Sequence, residues 1–170
     1  MMDDLKSLFH VSEIEITYKN KKPYHERVVI DTPWFAYDIL KSTWDHDKIE
    51  LQEQFKILLL DQKCNCLGLS EITTGGIDSC YVDPRVVFAT ALTAKATRLI
   101  LAHNHPSGVT KPSEADIVFT QRIVDGGKLL DISIMDHVIV TPHGYYSFAE
   151  EGLMPTWQAK QTPRTFSPIP

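Results

Sequence analysis

The sequence predicts an α/β domain in which a mixed central β-sheet is flanked by helices. Three observations predict it. Short apolar runs of strand length lie at 55–60, 99–101 and 138–140. Helix starts with recognisable caps lie between them, at Thr32-Pro33, Asp83-Pro84 and Ser113. The chain has 170 residues and 43% hydrophobic content, enough for one domain with a proper core.

In chain order, Ile14, Ile16 and Tyr18 alternate with Glu13, Glu15 and Thr17, and residues 28–30 follow a Lys/Asn/Pro turn, which predicts a short N-terminal β-hairpin. Thr32 and Pro33 read as the N-cap and first position of a helix. Ala36, Leu40 and Trp44, four residues apart, mark its buried stripe, and it ends near Asp45-His46-Asp47-Lys48. Strands are expected at about 54–60 and 66–72. Asp83-Pro84 then starts a helix to about 97, with Val87, Phe88, Ala91 and Leu92 turned inwards. A strand over 98–102 leads into a loop made irregular by Pro106, Gly108 and Pro112. Ser113 caps a helix through about 124, with Ile117, Phe119, Ile123 and Val124 as apolar positions and Gly126-Gly127 as its stop. Strands near 132–135, 137–141 and 145–148 follow, the last two joined at Pro142-His143-Gly144. Pro155, Pro163, Pro168 and Pro170 make the tail irregular. The expected division is a hairpin and helix over 1–48, a core domain over 49–152 and a Pro-rich tail over 153–170.

Composition narrows the function classes. The formal charge is −5, with 22 acidic and 17 basic residues, and no Lys/Arg run stands out, so nucleic-acid binding is not indicated. Lys19-Asn20-Lys21-Lys22 reads as a solvated turn. Cys64, Cys66 and Cys80 are odd in number and lack Cys-x-x-Cys spacing, which points away from a disulfide framework and towards a reducing compartment. The start Met1-Met2-Asp3-Asp4 lacks the charged and apolar regions of a signal peptide, and no apolar run reaches the roughly 18 residues of a membrane span. A cytoplasmic protein without a membrane partner is expected.

The most informative segment runs from His103 to Asp116. His103 and His105 follow the apolar Leu99-Ile100-Leu101 and, at i and i+2 of an extended chain, point the same way, roughly 6.5 to 7 Å apart. Asp116 falls in the first turn of the helix capped by Ser113, where the helix dipole favours the ionised carboxylate that a metal requires. Two nitrogens and one oxygen leave a fourth tetrahedral position open, the mark of a catalytic rather than a structural zinc site. Ser-x-x-Asp alone is a near match to a capping box, and a lone His-x-His is ordinarily packing; their combination within fourteen residues favours one bound zinc. Asp136 and His137 read as a satisfied polar pair at a turn between strands, with a carboxylate orienting a ligand histidine as the alternative. His10, His25, His46 and His143 read as surface or turn residues.

His-x-His, seven residues, then Ser-x-x-Asp resembles the JAMM motif of the JAB/MPN metalloprotease superfamily. The fuller text His103-Asn104-His105-Pro106-Ser107-Gly108, Pro112-Ser113 and Asp116 resembles the bacterial RadC family, once labelled a DNA repair family. Glu53-Gln54-Phe55, Asp83-Pro84-Arg85, Thr120, Asp136-His137 and Tyr146-Ser147-Phe148 extend the similarity over about residues 50–152. The resemblance implies the JAB/MPN (cytidine-deaminase-like) fold. It implies one Zn2+ per chain on His103, His105 and Asp116, with zinc-bound water attacking an amide carbonyl of a protein or peptide substrate. Ser113 would steady the oxyanion. An upstream glutamate would carry the proton; Glu50, Glu53 and Glu71 are available, and Glu53 is chosen because it directly precedes the first core strand. The other function expected of such a chain is an accessory role in DNA processing with a structural metal. The helix-hairpin-helix region of longer RadC proteins has no counterpart in 1–48, so no DNA binding is inferred from that region. A nucleobase deaminase is disfavoured, since His-x-Glu with Pro-Cys-x-x-Cys is absent, as is the His-Glu-x-x-His protease helix. A homo-oligomer is compatible with an edge strand in the N-terminal hairpin.

Overall fold

The structure, a computed structural model, describes residues 23–155. Its mixed α/β architecture is a five-stranded sheet between two helical layers. The strands are β1 (Gln54–Leu60), β2 (Cys66–Thr74), β3 (Arg98–Asn104), β4 (Ser133–Thr141) and β5 (Gly144–Ser147), in the order β2-β1-β3-β4-β5. Only β3 and β4 pair in parallel; the other neighbours are antiparallel. The helices are α1 (Pro33–Ser42), α2 (Pro84–Thr93) and α3 (Glu114–Leu130). Among the described residues no helix is long and apolar enough to cross a membrane.

Strand alternation sorts the core into two layers. Leu58, Leu60, Ile100, Ala102, Val138 and Val140 face α1 and pack with its Ala36 and Leu40, together with Ile30, Trp44 and Ile49. Ile57, Leu59, Leu99 and Leu101 face α2 and α3 and pack with Val87, Ala91, Ile123 and Ile132. A sheet covered on both faces requires continuous burial, and every residue of β1 is buried. Lys56 is accommodated there because its ammonium lies 4.5 Å from the Trp44 ring centre and donates to the Thr43 carbonyl. One apolar layer thus takes in residues on both sides of the expected boundary at 48/49.

The helix starts follow the caps. Thr32 Oγ1 accepts from Phe35 N, Asp83 from Arg85 N and Ser113 Oγ from Asp116 N, with Pro33 and Pro84 at first helical positions. Several ends differ from expectation. α2 stops at Thr93 rather than near 97, because Lys95 turns the chain at φ 55°, and Leu92 is exposed rather than inward. α3 runs on through Gly126 and Gly127 to Leu130 and ends at Asp131, whose φ is 57°. These glycines act as close-packing positions: a Cβ on Gly126 would lie 2.7 Å from the Phe88 ring, and one on Gly127 only 2.4 Å from the Ile132 carbonyl oxygen. Neither glycine adopts positive φ, so the helix has no reason to stop there.

The two strands expected at 132–135 and 137–141 are one strand, β4, and Asp136-His137 lies inside it rather than at a turn. Leu99 pairs with Ile134 but Ile100 pairs with Asp136, so Met135 is an extra residue, a β-bulge. The bulge leaves Ile134 and His137 on the α3 side, although they are three positions apart. Of the expected N-terminal hairpin, the first strand lies outside the described residues. Residues 24–26 form a short 3-10 turn, and among the described residues Val29 makes a single bridge, to Asn65.

Gly127→Ala is expected to lower stability by about 1–3 kcal/mol, because a backbone carbonyl cannot yield as a side chain can. Gly68→Ala, where nothing lies within 4 Å of the added carbon, should leave the urea midpoint unchanged or raised. Equal midpoints for the two variants would refute the close-packing role.

Candidate metal centre

Parallel pairing brings the carboxyl ends of β3 and β4 together, and α3, which connects them, starts beside that end. His103 is the penultimate residue of β3 and is buried on the α3 side; His105 follows just beyond the strand. The loop returns through Gly108, at φ 75°, to the cap at Ser113, which places the first turn of α3 over the two imidazoles. His103 Nε2 and His105 Nε2 are 2.9 Å apart, and Asp116 lies 3.3 Å from the first and 3.6 Å from the second. One nitrogen or oxygen from each residue falls within 4.8 Å of the others. The structure thus brings the three expected ligands together.

Ser113 and Asp116 form a reciprocal capping box. Ser113 N and Oγ both donate to Asp116 Oδ2, at 2.7 and 2.6 Å, and Asp116 N donates back to Ser113 Oγ. The second carboxylate oxygen, Oδ1, is the one 3.3 Å from His103. Capping and metal binding are therefore compatible on one side chain.

Electrostatics suit a cation. Burial opposes the charge of Asp116, but the facing imidazoles of His105 and His103 and the hydrogen bonds from Ser113 outweigh it and hold the carboxyl well below the usual range. Burial likewise opposes protonation of His105, yet Asp116 and the Val109 carbonyl raise its pKa. For fully buried His103, desolvation wins over Asp116 and lowers the pKa to about 4. His105 Nδ1 lies 2.6 Å from the Val109 carbonyl, which only accepts, so the neutral ring carries its proton there and presents a bare Nε2 to the cluster. Two imidazole nitrogens and a carboxylate form a donor set that fits zinc.

Glu53 sits just before β1, held by backbone hydrogen bonds with Gly75 and Gly76. Close approach makes Gly75 necessary, since a Cβ there would lie 2.3 Å from the Ser79 carbonyl oxygen. Glu53, His103, His105, Ser113 and Asp116 line one open cleft of about 760 Å³, with Phe119, Ile77 and Tyr81 on its walls. Burial, then the Asp116 charge, raise the Glu53 pKa, and His105 offsets part of this. Of the other upstream glutamates, exposed Glu50 also lines the cleft. Glu71 is engaged with Lys56, Gln54 and Thr74 instead.

Three residues named in the sequence, Asn104, Thr120 and His137, make contacts at the centre that the sequence did not assign to them. Asn104, fully buried on the α1 side, donates to the Ile49 and Gln52 carbonyls and accepts from Gln54 N, which ties the segment carrying Glu53 to the histidine strand. Its signal was a polar residue whose alternation places it in an apolar layer. His137 and Thr120 lie behind His103: His103 Nδ1 is 2.8 Å from His137 Nε2, His137 Nδ1 is 2.6 Å from Thr120 Oγ1, and Thr120 donates to the Asp116 carbonyl. The carboxylate of Asp136 has no part in this. It accepts from its neighbour's amide, Ser147 Oγ and Ala149 N.

Fold and site define a three-layer α/β domain with a His-His-Asp cluster at the carboxyl end of its parallel strand pair. A family model described as the RadC-like JAB domain matches residues 30–153, and the chain belongs to that family. The match takes in α1. Among curated relatives, a UPF0758 protein of Thermotoga maritima is 45% identical over 101 residues, covering 59% of this chain and 46% of its own length. One from Thermosynechococcus vestitus is 38% identical over 135 residues, covering 78% of this chain and 51% of its own length. The chain spans about half the length of the curated relatives it matches.

Because Glu53 titrates above its ordinary value, its charge opposes folding of the metal-free protein at neutral pH, and the cost disappears only well below the ordinary value of 4.5, where the residue is protonated in both states. Glu53→Gln should therefore raise the urea midpoint of chelator-treated protein at pH 7, with the gain shrinking as pH falls and vanishing well below 4.5. A variant less stable at pH 7 than the parent would contradict this.

Proposed function

We propose that this protein is a zinc-dependent hydrolase of amide bonds, a metallopeptidase or isopeptidase acting on a protein or peptide. The observation that carries this reading is the convergence, in one open cleft, of His103, His105 and Asp116 with a separate half-buried carboxylate, Glu53. His103, His105 and Asp116 would hold the ion. Held there, zinc would polarise a scissile carbonyl and lower the pKa of water to about 7.

Glu53 accepts a proton from the attacking water and delivers it to the leaving amine. Its surroundings suit both transfers: half-burial and Asp116 make the carboxylate more basic than a solvated glutamate, while cleft exposure leaves it reachable. Ser113 steadies the oxyanion. Its hydroxyl proton is directed at Asp116 Oδ2, while Asp116 N holds its oxygen, so turning the O–H towards substrate needs only rotation about the Cβ–Oγ bond. The histidines and Asp116 are restrained from elements that meet there, which fixes the reacting geometry before substrate arrives. The cellular setting proposed for this activity is the cytoplasm.

Metal content measured by mass spectrometry tests the reading. The native protein should carry about one zinc per chain, and His103→Ala and Asp116→Ala should lose it. Glu53→Gln should keep zinc while peptide hydrolysis falls by about 10²–10⁴-fold. Protein that takes up no zinc in any form, even after reconstitution, overturns the hydrolase assignment; full turnover in Glu53→Gln removes Glu53 from it.

A further inference from the structure

We infer that Thr120 and His137 are positioning residues that fix the proton of His103 on Nδ1, so that its Nε2 lone pair points into the His103–His105–Asp116 cluster. The inference rests on the metal reading for its purpose, and on hydrogen-bond polarity alone for its substance.

The polarity follows from counting protons. Thr120 Oγ1 lies 2.6 Å from the Asp116 backbone carbonyl, which can only accept, so the hydroxyl's single proton goes there. Towards His137 Nδ1, also at 2.6 Å, Thr120 can then only accept, and Nδ1 must carry the N–H. A neutral imidazole has one N–H, so His137 Nε2 is bare. That bare atom faces His103 Nδ1 at 2.8 Å, which must therefore be the donor. His103 Nε2 is left as a lone pair, 2.9 Å from His105 Nε2 and 3.3 Å from Asp116. Both rings are almost wholly buried, at 2% and 1% exposure. A charge on His137 would have no hydrogen-bonded carboxylate to compensate it, since Asp136 is spent on Ser147 and two backbone amides.

The chain of bonds begins at one expected ligand, His103, and ends on the backbone of another, Asp116. It passes through β3, β4 and α3, so the orientation of the imidazole is locked to the helix that supplies the carboxylate. Without the Thr120 hydroxyl, His137 Nδ1–H would face no acceptor. The ring would then favour its other tautomer and donate from Nε2 to His103 Nδ1. That reversal puts the His103 proton on Nε2, where it blocks a cation.

The experiment reads the ring nitrogens directly, by 15N NMR of the histidines in metal-free protein near neutral pH, for the parent, Thr120→Val and Thr120→Ser. The parent and Thr120→Ser should both show N–H at Nδ1 and a bare Nε2 in His103 and His137, whereas Thr120→Val should show the reverse. Titration with zinc alone should then give affinity lower by about 10–100-fold in Thr120→Val and restored in Thr120→Ser. A parent His137 protonated at Nε2 overturns the inference whether or not Thr120→Val folds, and so does a folded Thr120→Val with unchanged tautomers. Parent protein that shows the expected tautomers but binds no zinc leaves the relay standing and defeats the metal reading instead.

Discussion

At the carboxyl end of β3 two consecutive polar side chains, His103 and Asn104, are buried on opposite faces of the sheet, and neither can be left without hydrogen-bond partners. Alternation sends Asn104 to the α1 layer, where its carboxamide meets two carbonyls and one amide of residues 49–54. His103 goes to the opposite layer, where His137 satisfies one ring nitrogen and the cluster takes the other. One peptide unit thus fixes the segment that carries Glu53 and the imidazole that faces Asp116. The site's two halves come from distant parts of the chain, and this strand end joins them.

The surrounding fold makes that placement rigid. α3 begins with a capping box and ends against its own returning chain, where Gly127 lets the Ile132 carbonyl approach the helix backbone. A bulkier residue would push the helix away from β4, and the Thr120 hydroxyl would lose its reach to His137. Core packing and polar geometry are therefore coupled through the same helix: Ile123 and Val124 bury its apolar face one turn beyond Thr120.

Much of this was legible in the residues. The caps at Thr32, Asp83 and Ser113 located three helix starts, because a side-chain acceptor beside an amphipathic run has a local cause. The His-x-His and Ser-x-x-Asp spacings located the cluster for the same reason, since strand alternation and a helix turn are short-range geometry. What failed depended on distant partners. Gly126-Gly127 looked like a helix end, but their purpose is set by Phe88 and Ile132 across the packing interface. Asp136-His137 looked like a turn because two polar residues interrupt an apolar run; inside the sheet each finds a separate set of partners, Ser147 and Ala149 for the carboxylate, Thr120 and His103 for the imidazole. The choice among upstream glutamates was not determined by local pattern either, because the return of Gly75-Gly76 alongside residue 53 is a tertiary contact.

The bulge at Met135 gives β4 a counting rule. Leu99 opposes Ile134 and Leu101 opposes His137, so two steps along one strand match three along the other. Past that point every side chain of β4 has exchanged layers relative to a regular strand: Asp136 and Val138 belong with α1, His137 and Ile139 with α3. Layer membership in this strand is thus a matter of odd and even. Loss or gain of one residue between Ile134 and Asp136 would invert it and carry His137 away from His103, while the apolar residues beyond would still find a core to fill. The fold would forgive such a change more readily than the site.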